Sequence, residues 1–80
     1  MCAADITVAR IVDCRGLQCP LPILQTRLAL NTCGHGDVLV VWADDPSFEK
    51  DIHQFCFLAS VDLVLQERQD GYTAYTLKSH

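Results

Sequence analysis

The stretch RGLQCPLPILQ, residues 15–25, decides where the first helix of this chain begins. A residue before proline is pushed towards extended backbone, and proline itself suits the first helical position. We therefore predict that Cys19 is the N-cap residue and Pro20 the first residue of the helix, with Gly16 providing the turn that precedes them. Pro22 falls in the first turn, where its missing N–H leaves no helical hydrogen bond unmade. These residues predict a stiff helix start with a thiol at its tip.

Hydrophobic patterns on either side of this stretch predict the other elements. Residues 6–12 are rich in β-branched side chains and predict a first strand, followed by a loop over residues 13–18. Leu21, Leu24 and Leu28 recur at helical spacing and predict the buried stripe of a helix that ends before residues 31–36, and Ile23 and Leu30 widen this stripe. The unbroken apolar run at residues 38–43 is typical of an inner strand.

A second helix and a hairpin complete the chain. Asp45 is a good N-cap and Pro46 suits the first helical position. The predicted core positions of this helix are Phe48, Ile52, Phe55, Cys56 and Ala59. Residues 61–68 and 72–78 flank an Asp-Gly turn signal and predict two antiparallel strands.

The resulting order is βαβαββ in a single domain over residues 1–80. Because a strand–helix–strand crossover makes its two strands parallel, we predict a two-layer α/β sandwich, with a mixed four-stranded sheet and both helices on one face. The loop that carries Cys19 then lies between the first strand and the first helix.

Composition narrows the classes of function. Half of the 80 residues are hydrophobic and the formal net charge is -4. A domain that grips nucleic-acid phosphates tightly is usually basic, so we expect protein partners rather than direct nucleic-acid binding. The start of the chain lacks the pattern of a signal peptide, and no apolar run reaches the length of a membrane helix, which predicts a cytoplasmic protein. The acidic residues at 44, 45, 49 and 51 are interpreted mainly as a solvated helix start.

Five cysteines in a chain without an export signal are interpreted as thiols. No pair has the spacing of a zinc site, and His35 beside Cys33 would supply only half of a tetrahedral shell, so we expect no metal. Cys56 is predicted to pack in the core. Cys14 is considered as a resolving thiol for Cys19, and Cys2 lies in a terminus with no predicted anchor.

Cys19 is the candidate nucleophile. With prolines on both sides of Leu21, the Leu21 amide is the first-turn donor expected to reach the Cys19 sulfur. The helix dipole and Arg15 would add to this effect and lower the pKa of the thiol from its reference of about 8.5. The alternative is that Cys19 is a buried thiol in a capping position. Asp13 and Arg15 are interpreted either as groups that tune the thiol or as an ordinary surface pair.

The motif D-x-R-G-L-x-C-P-x-P, residues 13–22, resembles the signature of the TusA/SirA-like sulfur-carrier family. The resemblance continues through residues 43–46, 51–52 and 55–56 and the Gly-Tyr of the last hairpin, so it covers nearly the whole chain. It implies the same βαβαββ sandwich. It also implies that Cys19 is the residue that carries sulfur, with Asp13, Arg15, Gly16, Pro20, Leu21 and Pro22 as its supporting motif.

The resemblance implies a persulfide relay without a metal or organic cofactor. Cys19 would accept sulfur from a cysteine desulfurase or another persulfide donor and pass it to an acceptor protein, towards 2-thiouridine in tRNA. Leu21, His53 and the Ser60-Val61 pair depart from the family pattern, which leaves thiosulfate handling, selenium metabolism and regulation open as alternatives. Leu21 itself is interpreted as a core residue in preference to a docking residue. A non-catalytic interaction module and a redox sensor with a Cys14–Cys19 bridge are the other hypotheses.

Overall fold

The computed structural model of this protein describes residues 8–34 and 36–79. Its elements are β1 (Val8–Cys14), α1 (Leu21–Leu30), β2 (Val38–Ala43), α2 (Phe48–Ala59), β3 (Asp62–Arg68) and β4 (Thr73–Lys78). Residues 6 and 7 of the predicted first strand, together with Cys2 and His35, lie outside the described residues. Within the described ranges, neither helix is long and apolar enough to cross a membrane.

The four strands form one mixed sheet in the order β1-β2-β4-β3. β1 and β2 run parallel, whereas β4 pairs antiparallel with both β2 and β3. The predicted βαβαββ order and the mixed sheet are confirmed. The first strand extends further than predicted, because Asp13 and Cys14 still pair with Trp42 and Ala43 of β2. The loop that carries Cys19 is correspondingly short.

The core lies between the sheet and the two helices, which contact each other on one face of the sheet. Alternate residues of the central strand β2 point into it, as expected from the two-residue period of a strand. Its members include Leu39, Val41, Phe48, Ile52, Cys56, Tyr75 and Leu77. The prediction that Cys56 is a buried core residue is confirmed, whereas Ala59 at the end of α2 is exposed.

Helix α1 buries only part of the predicted stripe, because Ile23 and Leu30 pack against the core but the other three members do not. Its buried residues are Pro22, Thr26 and Ala29. The three leucines of the predicted stripe, Leu21, Leu24 and Leu28, are exposed, with Leu28 at 60%. The small buried face is possible because the Thr26 hydroxyl donates to the Pro22 carbonyl at 2.8 Å, which satisfies its polar group inside the helix. The prediction that Leu21 is a core residue is therefore wrong.

Candidate functional site

Cys19 lies in the loop between β1 and α1, and the helix begins one residue later than predicted, so Cys19 is not the N-cap residue. Leu21 is the first helical residue, and Pro20, with φ -98° and ψ 12°, takes the N-cap position. The Leu21 amide donates to the Gln18 carbonyl at 2.9 Å. It is thus engaged by a tight turn before the helix. The predicted contact between this amide and the Cys19 sulfur is absent from the hydrogen bonds of the described residues.

Two consecutive aspartates after β2 hold the Cys19 loop. Both carboxylate oxygens of Asp44 accept the Gly16 amide, at 3.1 and 3.0 Å. Asp45 accepts the Cys19 amide at 2.7 Å through Oδ2 and the Ser47 amide at 3.1 Å through Oδ1. Asp45 therefore caps the turn before α2, while Ser47 is the N-cap residue of the helix itself. The interpretation of these acidic residues as a solvated helix start is incomplete for both aspartates, because they also hold the Cys19 loop.

This arrangement could have been found from the sequence with one further step. The predicted parallel pairing of β1 and β2 brings their carboxyl ends to the same edge of the sheet. The segments that follow, RGLQC and DDP, must then be neighbours. Free backbone amides in a glycine-containing turn and carboxylates from the adjacent loop are natural hydrogen-bond partners.

The Cys19 thiol is exposed, and its Sγ atom donates to Asp51 Oδ2 at a distance of 3.4 Å. This hydrogen bond is the main reason that the pKa of Cys19 is raised above its ordinary value. Partial desolvation and the negative charges of Asp51 and Asp45 act in the same direction, against a smaller opposing contribution from the Ser47 hydroxyl. The prediction of a lowered pKa is therefore wrong, because the carboxylates of Asp51 and Asp45 lie close to the sulfur and disfavour the thiolate.

A cleft of about 230 Å³ between the two helices starts at Cys19. Its walls combine apolar side chains with one cation, Arg27, whose guanidinium carbon lies 5.9 Å from the centre of the Phe55 ring. The remaining lining residues are Pro20, Ile23, Asp51, Gln54 and Leu58. An outside molecule can thus reach the sulfur along a mainly apolar channel.

Arg15 does not act on Cys19. Its Nε and Nη2 atoms donate to the two carboxylate oxygens of Asp13, at 2.9 and 2.8 Å. The guanidinium also lies over the rings of Trp42 and Tyr72, with its central carbon 5.0 and 5.1 Å from their centres. Such stacking adds a cation–π attraction to the ion pair. Asp13 and Arg15 therefore stiffen the end of β1 rather than tune the thiol.

The ion pair between Asp13 and Arg15 leads to a testable prediction about the titration of the Asp13 carboxyl. The hydrogen bonds from Arg15 lower the pKa of Asp13 to about 2. Because the folded pKa is lowered, this stabilisation is present above the ordinary value of 3.8 and is lost as the pH falls from there to about 2. In Arg15→Gln the Asp13 carboxyl should titrate at a higher pH than in the wild type, because the side-chain bonds are lost while the bond from the backbone amide of residue 15 remains, as followed by NMR of the side-chain carbon. An unchanged midpoint would contradict the assigned contact.

The other described cysteines are less accessible than Cys19. Cys14 is fully buried, and its sulfur lies 4.0 Å from the Pro22 carbonyl oxygen. Burial raises the pKa of the Cys14 thiol, and likewise that of Cys56. Cys33 is partly buried and donates to the Ala29 carbonyl at 3.4 Å. The burial of Cys14 disfavours it as a resolving thiol for Cys19. The structure therefore does not support the redox-sensor hypothesis.

The fold and the site together define the class of protein: it is a small α/β sandwich that presents an exposed thiol at the end of a cleft between its two helices. The chain matches the family described as "Sulfurtransferase TusA" over residues 10–79, and it belongs to that family. A similar solved structure is the SirA-like protein from Desulfitobacterium hafniense, at 21% identity with a TM-score of 0.76. The match covers 86% of this chain and 95% of that one, and it shows the shared fold.

Proposed function

We infer that this protein is a sulfur carrier of the cytoplasm in which Cys19 accepts a persulfide sulfur and relays it to an acceptor protein. The observation that carries the proposal is the exposed Cys19 thiol in a chain of the TusA family. The source of sulfur is a cysteine desulfurase or another persulfide donor. No metal or organic cofactor takes part.

The transfer is an exchange at sulfur. The Cys19 thiolate attacks the outer sulfur of the donor persulfide, forming a new S–S bond while the S–S bond of the donor breaks. The donor leaves as a thiolate and takes up a proton, which balances the proton that Cys19 lost. An acceptor thiolate then attacks the outer sulfur of the loaded Cys19 in the same way. No net oxidation or reduction occurs in either step.

Three features of the site suit this exchange. The Gly16 and Cys19 amides donate hydrogen bonds to Asp44 and Asp45, and these bonds hold the loop while leaving the Cys19 sulfur accessible. Exposure of the thiol allows a partner cysteine to approach it directly. The adjoining cleft offers room for the extra sulfur atom of the loaded form.

Loading of the wild-type protein tests the proposal. Incubation with a cysteine desulfurase and cysteine, or with thiosulfate and a rhodanese, should increase the intact mass by one sulfur atom. A low-molecular-weight thiol added afterwards should remove that mass, because it attacks the outer sulfur. A wild-type protein that gains no sulfur from either donor would contradict the carrier function.

The family resemblance suggests 2-thiouridine in tRNA as the destination of the sulfur. If tRNA from cells that lack this protein keeps its 2-thiouridine content, that destination is excluded while the carrier function stands. Thiosulfate and selenium metabolism would then be the next pathways to examine.

A second candidate function is a non-catalytic interaction module. The observation that favours it is the stripe of exposed leucines on α1, Leu21, Leu24 and Leu28. Contiguous exposed apolar side chains are typical of surfaces that contact other proteins. The loading experiment distinguishes the two functions, because a non-catalytic interaction module gains no sulfur.

A further inference from the structure

The contact between Asp51 and Cys19 is the feature of the site that the family motif leaves unexplained. Asp51 lies one turn into α2, 32 residues beyond the cysteine in the chain, and its Oδ2 atom is 3.4 Å from the sulfur. The carboxylate is partly buried beside the cleft. A carboxylate at this distance can accept the S–H proton but cannot stabilise a thiolate.

The two carboxylate charges near the sulfur, those of Asp51 and Asp45, act in the same direction. Asp45, in the turn before α2, accepts a hydrogen bond from the Cys19 amide and adds a second negative charge. Among the described residues, the Ser47 hydroxyl makes a smaller contribution that favours the ionised form. Arg27 of α1 lines the same cleft, and its guanidinium lies against Phe55. The described surroundings of Cys19 therefore favour the neutral thiol over the thiolate.

We propose that Asp51 controls the proton on Cys19, holding the sulfur of the free protein as a neutral thiol and thereby keeping it unreactive towards small electrophiles and oxidants. The thiolate, not the thiol, is the form that attacks. Neutralising the charge at residue 51 releases this restraint. The inference deepens the proposed function, since it describes the resting state of the same cysteine, but its chemistry can be measured without any sulfur donor.

Asp51→Asn tests the proposal, because the variant keeps the size of the side chain and removes the charge. The rate of alkylation of Cys19 by iodoacetamide is measured against pH for the wild-type protein and for D51N. Trypsin separates residues 16–27 as a peptide that contains Cys19 and no other cysteine, so modification can be quantified at this residue alone.

We expect the pH midpoint of alkylation to move to lower pH in D51N, with faster reaction at neutral pH. Every tenfold gain in the thiolate fraction is offset by about threefold lower intrinsic nucleophilicity, which leaves a net gain of about threefold in rate. Loading by a small-molecule persulfide at neutral pH should accelerate by a similar factor. An unchanged midpoint in D51N would overturn the proposal, even if the rate changed equally at all pH values, because that pattern reports altered access to the sulfur.

Glu49→Gln is the matched control. Glu49 is an exposed acidic residue of the same helix and is not among the groups that shift the pKa of Cys19. This variant loses the same charge, and the pH midpoint of Cys19 alkylation should stay at its wild-type value. An equal shift in both variants would assign the effect to net charge and overturn the specific role of Asp51.

A second measurement avoids the variants. In the wild-type protein the midpoint for Cys19 should fall when urea unfolds the chain, because unfolding breaks the contact with Asp51. A midpoint that stays constant or rises on unfolding would also overturn the proposal. Neither result depends on sulfur loading, so failure of the proposed function and failure of this inference remain distinguishable.

Discussion

Cys19→Ser should gain no sulfur from a persulfide donor under conditions that load the wild-type protein. The expected loss is complete, because a serine hydroxyl cannot form the S–S bond on which the transfer depends. The measurement is intact mass after incubation with a cysteine desulfurase and cysteine, together with the mass of the 16–27 peptide. In the wild type this peptide should carry the added sulfur.

Cys33→Ser is the matched control for this substitution. Cys33 is a free thiol in the same chain, but its sulfur is partly buried and bonded to the Ala29 carbonyl. The control should load as the wild type does. If Cys19→Ser still gains one sulfur atom, the cargo lies on another cysteine and the assignment of Cys19 is wrong.

The sequence predicted the order and type of all six elements because each has a strong local pattern. The face of α1 was predicted wrongly, since three leucines at helical spacing outweigh a proline, a threonine and an alanine on any hydrophobicity scale. In the structure the small residues Thr26 and Ala29 lie against the sheet, and the threonine hydroxyl finds its partner within its own helix. Hydrophobicity alone does not report that local hydrogen bond.

For the candidate site, too, the sequence analysis predicted some features correctly and others wrongly. The exposure of Cys19 just before the first helix agrees with the sequence analysis, whereas its predicted N-cap position does not, because Pro20 takes that position. The direction of its pKa shift does not, because the dominant group, Asp51, comes from a different helix. A single sequence carries no signal for such a tertiary contact beyond the parallel pairing of β1 and β2, which places Asp44 and Asp45 near the loop.

The positions of the aspartates near Cys19 depend on how the second helix packs against the sheet. Phe48 is the residue that anchors the start of this helix. Phe48 is 1% exposed and lies edge-to-face on Tyr75 of β4, with 5.1 Å between ring centres and 72° between ring planes. It follows Asp45 by three residues and precedes Asp51 by three. Its packing therefore fixes the segment that carries both carboxylates.

Phe48→Ala should destabilise the protein by about 3–5 kcal/mol, because it removes a buried ring and leaves a cavity. An 80-residue domain has a total stability of roughly 4–12 kcal/mol, so this substitution should remove a large part of it. Urea unfolding followed by circular dichroism measures the change. Phe57→Ala is the control: Phe57 lies on the same helix but is 84% exposed, so its removal should change stability by less than about 0.5 kcal/mol. Equal losses in the two variants would show that Phe48 does not anchor the helix, and the positions of Asp45 and Asp51 would then need another explanation.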